Sequence, residues 1–356
     1  MRTSFAIDMI VICTAFAASV ACMAQGAADR PARVGEAERT ALLEGIAGKL
    51  VDEYIDLDIA RRMSTDLRQR KVHGEYDSLI DPAMLASQLT TDLRAVSHDK
   101  HLWVEFHAAG AHDEPAAGPS SEILQSWRAA MARDNFGFDK AERLDGNVGY
   151  VAFHVFAYPS LAAATATAAM SFVANTDALI IDLRRNVGGD PQMVAFMLSH
   201  LFDERTRLNG IYTRRTDHLE QYWTTPLAPG KSFGGKKPVY VLTSRDTFSA
   251  AEDFAYAVKH LRRGTLVGET TGGGAHPSRA FRVTQRFAAV IPYARSISPV
   301  TKTNWEGTGV IPDVATDSLN ALNKAYRLAL QRQLTDSIDE AQRIHLRAVL
   351  DSLPSE

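Results

Sequence analysis

Cysteine is nearly absent from this chain. Its two cysteines, Cys13 and Cys22, both fall in the first two dozen residues. The body beyond them therefore has no disulfides, no thiol nucleophile and no cysteine metal site. An excess of either charge is lacking too. Lys and Arg number 39 against 42 Asp and Glu, a net charge of −3, which gives no electrostatic case for nucleic acid or an anionic membrane as partner. The body has no apolar run of about 20 residues, so nothing there is expected to span a bilayer. It has no G-x-G-x-x-G fingerprint for a dinucleotide and no internal repeat. What remains is ordinary globular protein: 46% apolar and 23% charged residues. At 356 residues the chain can build one large domain or two unequal ones.

The N-terminus reads as a secretory signal peptide over residues 1–24. Arg2 precedes an apolar stretch from Met9 to Met23, and small residues surround a cleavage point after Ala24. Asp8 and the single arginine are departures from that pattern. The competing reading is a buried helix, but a polar Ala/Gly/Asp-bearing linker, residues 25–35, follows directly. Export to the periplasm or the medium is the expectation. Cys22 is a candidate lipid-attachment site, although Ser19-Val20-Ala21 is a poor approach to one.

From residue 36 to 107 the pattern is helical. Leu42, Leu43, Ile46, Leu50, Val51 and Tyr54 recur at three- and four-residue spacing, and further stripes follow at 59–67 and 84–93. This is expected to be a domain of three or four helices. Residues 108–135 read as a loop or boundary. Beyond them strands and helices alternate through an α/β core, residues 136–316. Strand-like runs occur at 149–153, 178–183, 239–242, 265–267, 281–283 and 288–291, with helices at 160–175, 191–202 and 250–263. Continuous apolar strands alternating with helices predict a covered, mostly parallel sheet. A charged, leucine-bearing helical tail, residues 317–356, closes the chain.

Four places can carry chemistry. In Pro238–Glu252 a strand runs through a turn to Ser249 at a helix start, where the Ala250 amide suits a developing oxyanion. Ser249-Ala250-Ala251-Glu252 also reads as a capping box, which needs no catalysis. Asn186-Val187-Gly188-Gly189 follows a buried strand at its carboxyl end, so Gly188 or Gly189 offers a second oxyanion donor or simply turns the chain. His101, in Ser97–Val104, is a candidate base, with His98, His107 and His276 as rivals. Glu306, in Asn304–Asp313, is a candidate acid to orient a histidine or a solvated loop residue.

Several motifs, in order, resemble one family. PVYVLTSRDTFSAAEDFAY followed by LVGETTGGGAHP is similar to the tail-specific (carboxyl-terminal-processing) serine peptidases. TDLRAVSHDKHLWVEF, LDGNVGYVAFHVF, DALIIDLRRNVGGDP and NWEGTGVIPDV match the branch that includes interphotoreceptor retinoid-binding protein and the tricorn protease core. The resemblance covers residues 54–314. It implies a crotonase/Clp-like α/β core with an N-terminal helical bundle and a C-terminal helix. It also implies Ser249 as nucleophile, His101 as base, Glu306 as the acid orienting His101, and an oxyanion hole from Gly188 or Gly189 with Ala250. No metal or cofactor is required, and peptides or proteins are the implied substrates. Two departures narrow this. The lysine of Ser–Lys dyad members falls on glycine in residues 268–274, which moves the base role to His101. The span from His101 to Gly149 is too short for the PDZ domain of many relatives. A non-catalytic binder of apolar ligands, like the retinoid-binding relatives, is the alternative, and an acyl-CoA enzyme follows from fold analogy alone.

Overall fold

The computed structural model describes residues 33–111, 120–226 and 228–354. The expected signal segment and both cysteines lie outside them. Three helices open the described chain, α1 (Glu36–Glu53), α2 (Leu57–Val72) and α3 (Pro82–Ser97). Their starts follow local chemistry. Asp56 accepts from the amides of Asp58 and Ile59, and Asp81 accepts from Met84 N with Pro82 at the first helical position. The expected stripe of Leu42, Leu43, Ile46, Leu50 and Tyr54 is buried.

α3 stops where His98 turns left-handed, at φ 57°. The chain then leads through Asp99-Lys100-His101 into β1 (Trp103–Phe106). β1 pairs antiparallel with β10 (Phe287–Pro292), which pairs with β9 (Ser278–Arg282). Leu102 and Val104 share one core with the helices and with Phe281, Phe287 and Ile291. The helical region is thus welded to a hairpin from far down the chain, across the boundary expected at residue 107.

The central sheet has six strands in the order β12-β8-β7-β4-β3-β2. They are β2 (Phe138–Leu144), β3 (Val148–Phe153), β4 (Ala178–Asp182), β7 (Val239–Thr243), β8 (Thr265–Gly268) and β12 (Val314–Ala315). Only β2 is antiparallel to its neighbour. Both faces are covered, which explains the unbroken apolar run of β4. Leu179 and Ile181 pack with α5 (Pro159–Val173), α6 (Pro191–Ser199) and α7 (Ala250–His260). Ile180, one residue out of phase, packs with α8 (Ala321–Asp336) and α9 (Glu340–Ser352) on the other face. A small antiparallel sheet, β11-β5-β6, joins β5 (Arg207–Thr213), β6 (His218–Trp223) and β11 (Ala294–Ile297).

The α/β class and the mostly parallel sheet are as expected. Several details differ. The span 108–135 carries a helix, α4 (Ser121–Arg133), started by the Ser120 hydroxyl accepting from Ile123 N. The tail holds two helices rather than one, because Asp339 caps a new start. α7 ends at His260, short of the expected residue 263, and Arg262 takes the left-handed conformation. Among the described residues no helix is long and apolar enough to cross a membrane.

Candidate active site

Ser249 sits where the chain leaves β7 and enters α7. The Thr247 hydroxyl accepts from Ser244 N (2.9 Å) and donates to the Leu183 carbonyl (2.8 Å), tying this turn to the end of β4. Ser249 itself has φ 57° and ψ −120°, a backbone state that costs a non-glycine residue about 1–3 kcal/mol. The fully buried Glu252 holds it there. One carboxylate oxygen accepts from Ser249 N (2.9 Å) and Gly274 N (2.8 Å); the other accepts from Gly273 N (2.6 Å) and the Thr271 hydroxyl (2.5 Å). Burial pushes the Glu252 carboxyl up and these four donors oppose that shift. The capping box is formed as expected: the Glu252 carboxylate accepts from Ser249 N, and the Ser249 side chain is turned to the Glu252 amide, which also donates to the Ser249 carbonyl (2.9 Å).

The Asn186–Gly189 loop packs against this turn. The Asn186 side chain donates to the Phe153 carbonyl (3.0 Å) and accepts from Gly188 N (2.9 Å). A Cβ on Gly188 would lie 2.7 Å from Ser249 Cβ, and one on Gly189 would lie 2.2 Å from the Phe156 carbonyl oxygen. Both glycines have positive φ, so no other residue fits. Gly188 N–H is committed to Asn186. The amides of Gly189 and Ala250 make no hydrogen bond among the described residues.

His101 arrives from the α3–β1 turn. Its ring stacks on Phe248, the neighbour of Ser249, with centroids 4.6 Å apart. Lys100 Nζ donates to the Gly272 carbonyl (2.6 Å), and His101 N donates to Asp99 Oδ1 (2.9 Å). The imidazole is buried and its Nδ1 has no partner. Burial pushes its pKa down to about 4, against the pull of the Asp99 charge, so the ring is neutral at pH 7.

Glu306 comes from the turn after β11. Trp305 Nε1 donates to the Gly274 carbonyl (2.8 Å), and Glu306 Oε2 accepts from Ala275 N (2.6 Å). Burial, then the Asp99 charge, pushes Glu306 up to about 7. One donor atom each of Asp99, His101 and Glu306 lies within 4.8 Å of the others. Much of the carboxylate capacity in this cluster is already taken by protein donors. The structure thus gathers the three expected side chains around one glycine loop, but the hydrogen bonds Ser249–His101 and His101–Glu306 are not formed in it.

Two further members complete this cluster: Asp99, which had no role in the sequence reading, and His276, which entered it only as a rival to His101. Asp99 Oδ2 accepts from His276 Nδ1 (2.7 Å) and from the Tyr54 hydroxyl (3.1 Å). His276 Nδ1 also lies 3.6 Å from Glu306 Oε2. Burial disfavours the Asp99 charge, but the His276 hydrogen bond and charge hold its pKa below the usual carboxylate range. Burial disfavours the His276 charge in turn, yet Asp99 and Glu306 raise its pKa. The available signals were the position of Asp99 in the His101 motif and that of His276 directly after the glycine loop.

The sequence profile of peptidase family S41 matches residues 147–316. A second profile, the N-terminal domain of that family in eukaryotic IRBP, matches residues 36–131. The chain belongs to peptidase family S41. Solved structures agree with this S41 fold at low identity. A Parabacteroides merdae protein assigned as a peptidase matches with TM-score 0.54 and 20% identity over 84% of this chain and 99% of its own. A lipoprotein from Streptococcus agalactiae gives 0.51 and 16%, covering 82% and 96%. Mature CPAF gives 0.51 and 14%, covering 88% and 98%. At such identities the likeness is one of fold. Within this S41 chain the glycine stretch leaves no space for a dyad lysine at its end. A Cβ on Gly274 would stand 2.3 Å from the Phe248 ring and 2.6 Å from His101 Cε1.

Proposed function

We propose that this S41 protein is a serine-type peptidase working through Ser249, His101 and Glu306. The observation that carries the reading is the strained Ser249 at the helix start, next to Phe248 on which a buried neutral imidazole stacks, with the amides of Gly189 and Ala250 unbonded among the described residues. In the reaction Ser249 Oγ bonds to the scissile carbonyl carbon while His101 takes the hydroxyl proton. The amides of Gly189 and Ala250 hold the resulting oxyanion, a role worth about 3 kcal/mol per donor. Gly188, whose amide is occupied, shapes the loop. As the C–N bond breaks, His101 returns the proton to the leaving amine, and water repeats the sequence to release the acyl group. Glu306 stabilises the imidazolium once its carboxylate turns from Ala275 towards the unpartnered His101 Nδ1; such bonds often tighten only in the substrate complex.

Replacing Ser249 by Ala is expected to abolish both peptide hydrolysis and labelling by a serine-directed phosphonate, with the thermal transition retained. Turnover surviving in that variant refutes the nucleophile. The leader-like residues 1–24 support export. Fractionation of the expressed full chain tests that, and an unprocessed protein confined to the cytoplasm refutes it.

A further inference from the structure

Asp99 and Glu306 are two largely buried carboxylates drawn to the same imidazole, Asp99 from the α3–β1 turn and Glu306 from the turn after β11. Two like charges this close in a poorly solvated site do not both ionise unless a cation stands between them. Among the described residues, the side chain with an ion-pair contact to both is His276, at 2.7 Å from Asp99 and 3.6 Å from Glu306. Other charged or titratable groups around the trio are His101, Arg295 on β11, Tyr54, which donates to the same Asp99 oxygen, and Glu252, whose charge also raises Glu306. The two basic groups do not bridge the acids. Arg295 is directed at the Tyr212 ring, 5.1 Å from its centroid, and His101 Nδ1 is unpartnered.

We propose that His276 is a positioning residue of the peptidase reaction: as an imidazolium between Asp99 and Glu306, it keeps Glu306 ionised and ready for His101. This rests on the Ser249–His101–Glu306 reading. The His276 charge lowers the Glu306 pKa, so without that cation Glu306 keeps its proton to higher pH still. A neutral carboxyl cannot offset the charge His101 acquires when it accepts the serine proton. Asp99 cannot replace it, because its two oxygens are already occupied by His101 N, Tyr54 and His276. The raised pKa of His276 and the lowered pKa of Asp99 agree with an ion pair.

The test compares wild type with His276→Ala and His276→Gln on a casein-derived fluorogenic peptide across pH 5–9. Loss of the cation is expected to lower kcat by about 10²-fold with KM nearly unchanged, and to move the acid limb of the kcat profile to higher pH. Glutamine keeps a donor for Asp99 but no charge, so it is expected to show the same displaced limb. A profile restored by Gln, or a fall in kcat without a displaced limb, overturns the proposal. A second measurement needs no turnover. Ring ¹⁵N spectra of Ser249→Ala at pH 7 are expected to show His276 doubly protonated and His101 neutral, and a neutral His276 overturns the proposal in any background. If wild type is inert while His276 is charged, the peptidase reading fails and the ion pair stands.

Discussion

Glu252 shows how much of this site hangs on one side chain outside the reacting set. Its four hydrogen bonds hold the strained serine and the glycine loop together. Glu252→Ala leaves a buried hole and four unpartnered donors, each costing about 1–3 kcal/mol. The expected outcome is a protein that unfolds well below wild type in thermal denaturation and labels poorly with phosphonate. Gly189→Ala tests the oxyanion assignment. Its new methyl group would lie 2.2 Å from the Phe156 carbonyl, so the loop must shift and kcat is expected to fall about 10²–10³-fold. A variant with unchanged kcat would remove Gly189 from the oxyanion hole. At this scale the sequence was informative about Ser249, His101 and Glu306 because each lies in a motif. It named His276 only as a rival base and was silent about its pairing with Asp99, since an ion pair between residues so far apart in the chain leaves no local spacing to detect.

At the scale of elements, the strands and helices buried on two faces were the legible ones. β4 and β7 read directly from their apolar runs, because every position there is buried, and α1 from the single stripe it buries. β2, with charged residues at half-exposed and exposed positions, and the small sheet β11-β5-β6 were not found. Their partners are set by tertiary contact rather than by pattern. The same holds for the pairing of β1 with β10, which places His101. That pairing gives an element-level prediction. Lys100 fastens the α3–β1 turn to Gly272, and Arg94 donates to the carbonyls of Lys100 (2.7 Å) and Leu102 (2.8 Å). Arg94→Ala is expected to loosen that turn, lowering kcat by about tenfold with little loss of global stability. Hydrogen exchange over residues 98–102 is the direct check, and unchanged protection there would refute it.

For the molecule as a whole, the pKa displacements of Glu306 and His101 pull stability in opposite directions, with Glu252 acting in the same sense as Glu306 and His200 in the same sense as His101. Glu306 is raised from the ordinary carboxylate range to about 7. Between those values the unfolded chain has released a proton that the folded protein keeps, so this contribution is complete below about pH 4.5 and is lost as pH rises through 7. His101 is lowered to about 4. The unfolded chain takes up its proton first as pH falls below about 6.5, so that contribution is present above 6.5 and is lost on the way down to 4. Glu306→Gln is expected to reduce the decline of melting temperature between pH 5 and 8, Glu252 supplying the remainder, while leaving the acid-side decline in place. A variant that keeps the wild-type slope on the alkaline side would show that Glu306 does not carry it.

The reacting groups come from three distant stretches, and the last of them is at residue 306. A chain emerging from the ribosome, or one threaded unfolded through a translocation channel, holds its serine without a proton acceptor beside it. If Ser249, His101 and Glu306 act as proposed, cutting power arrives only with completed tertiary assembly.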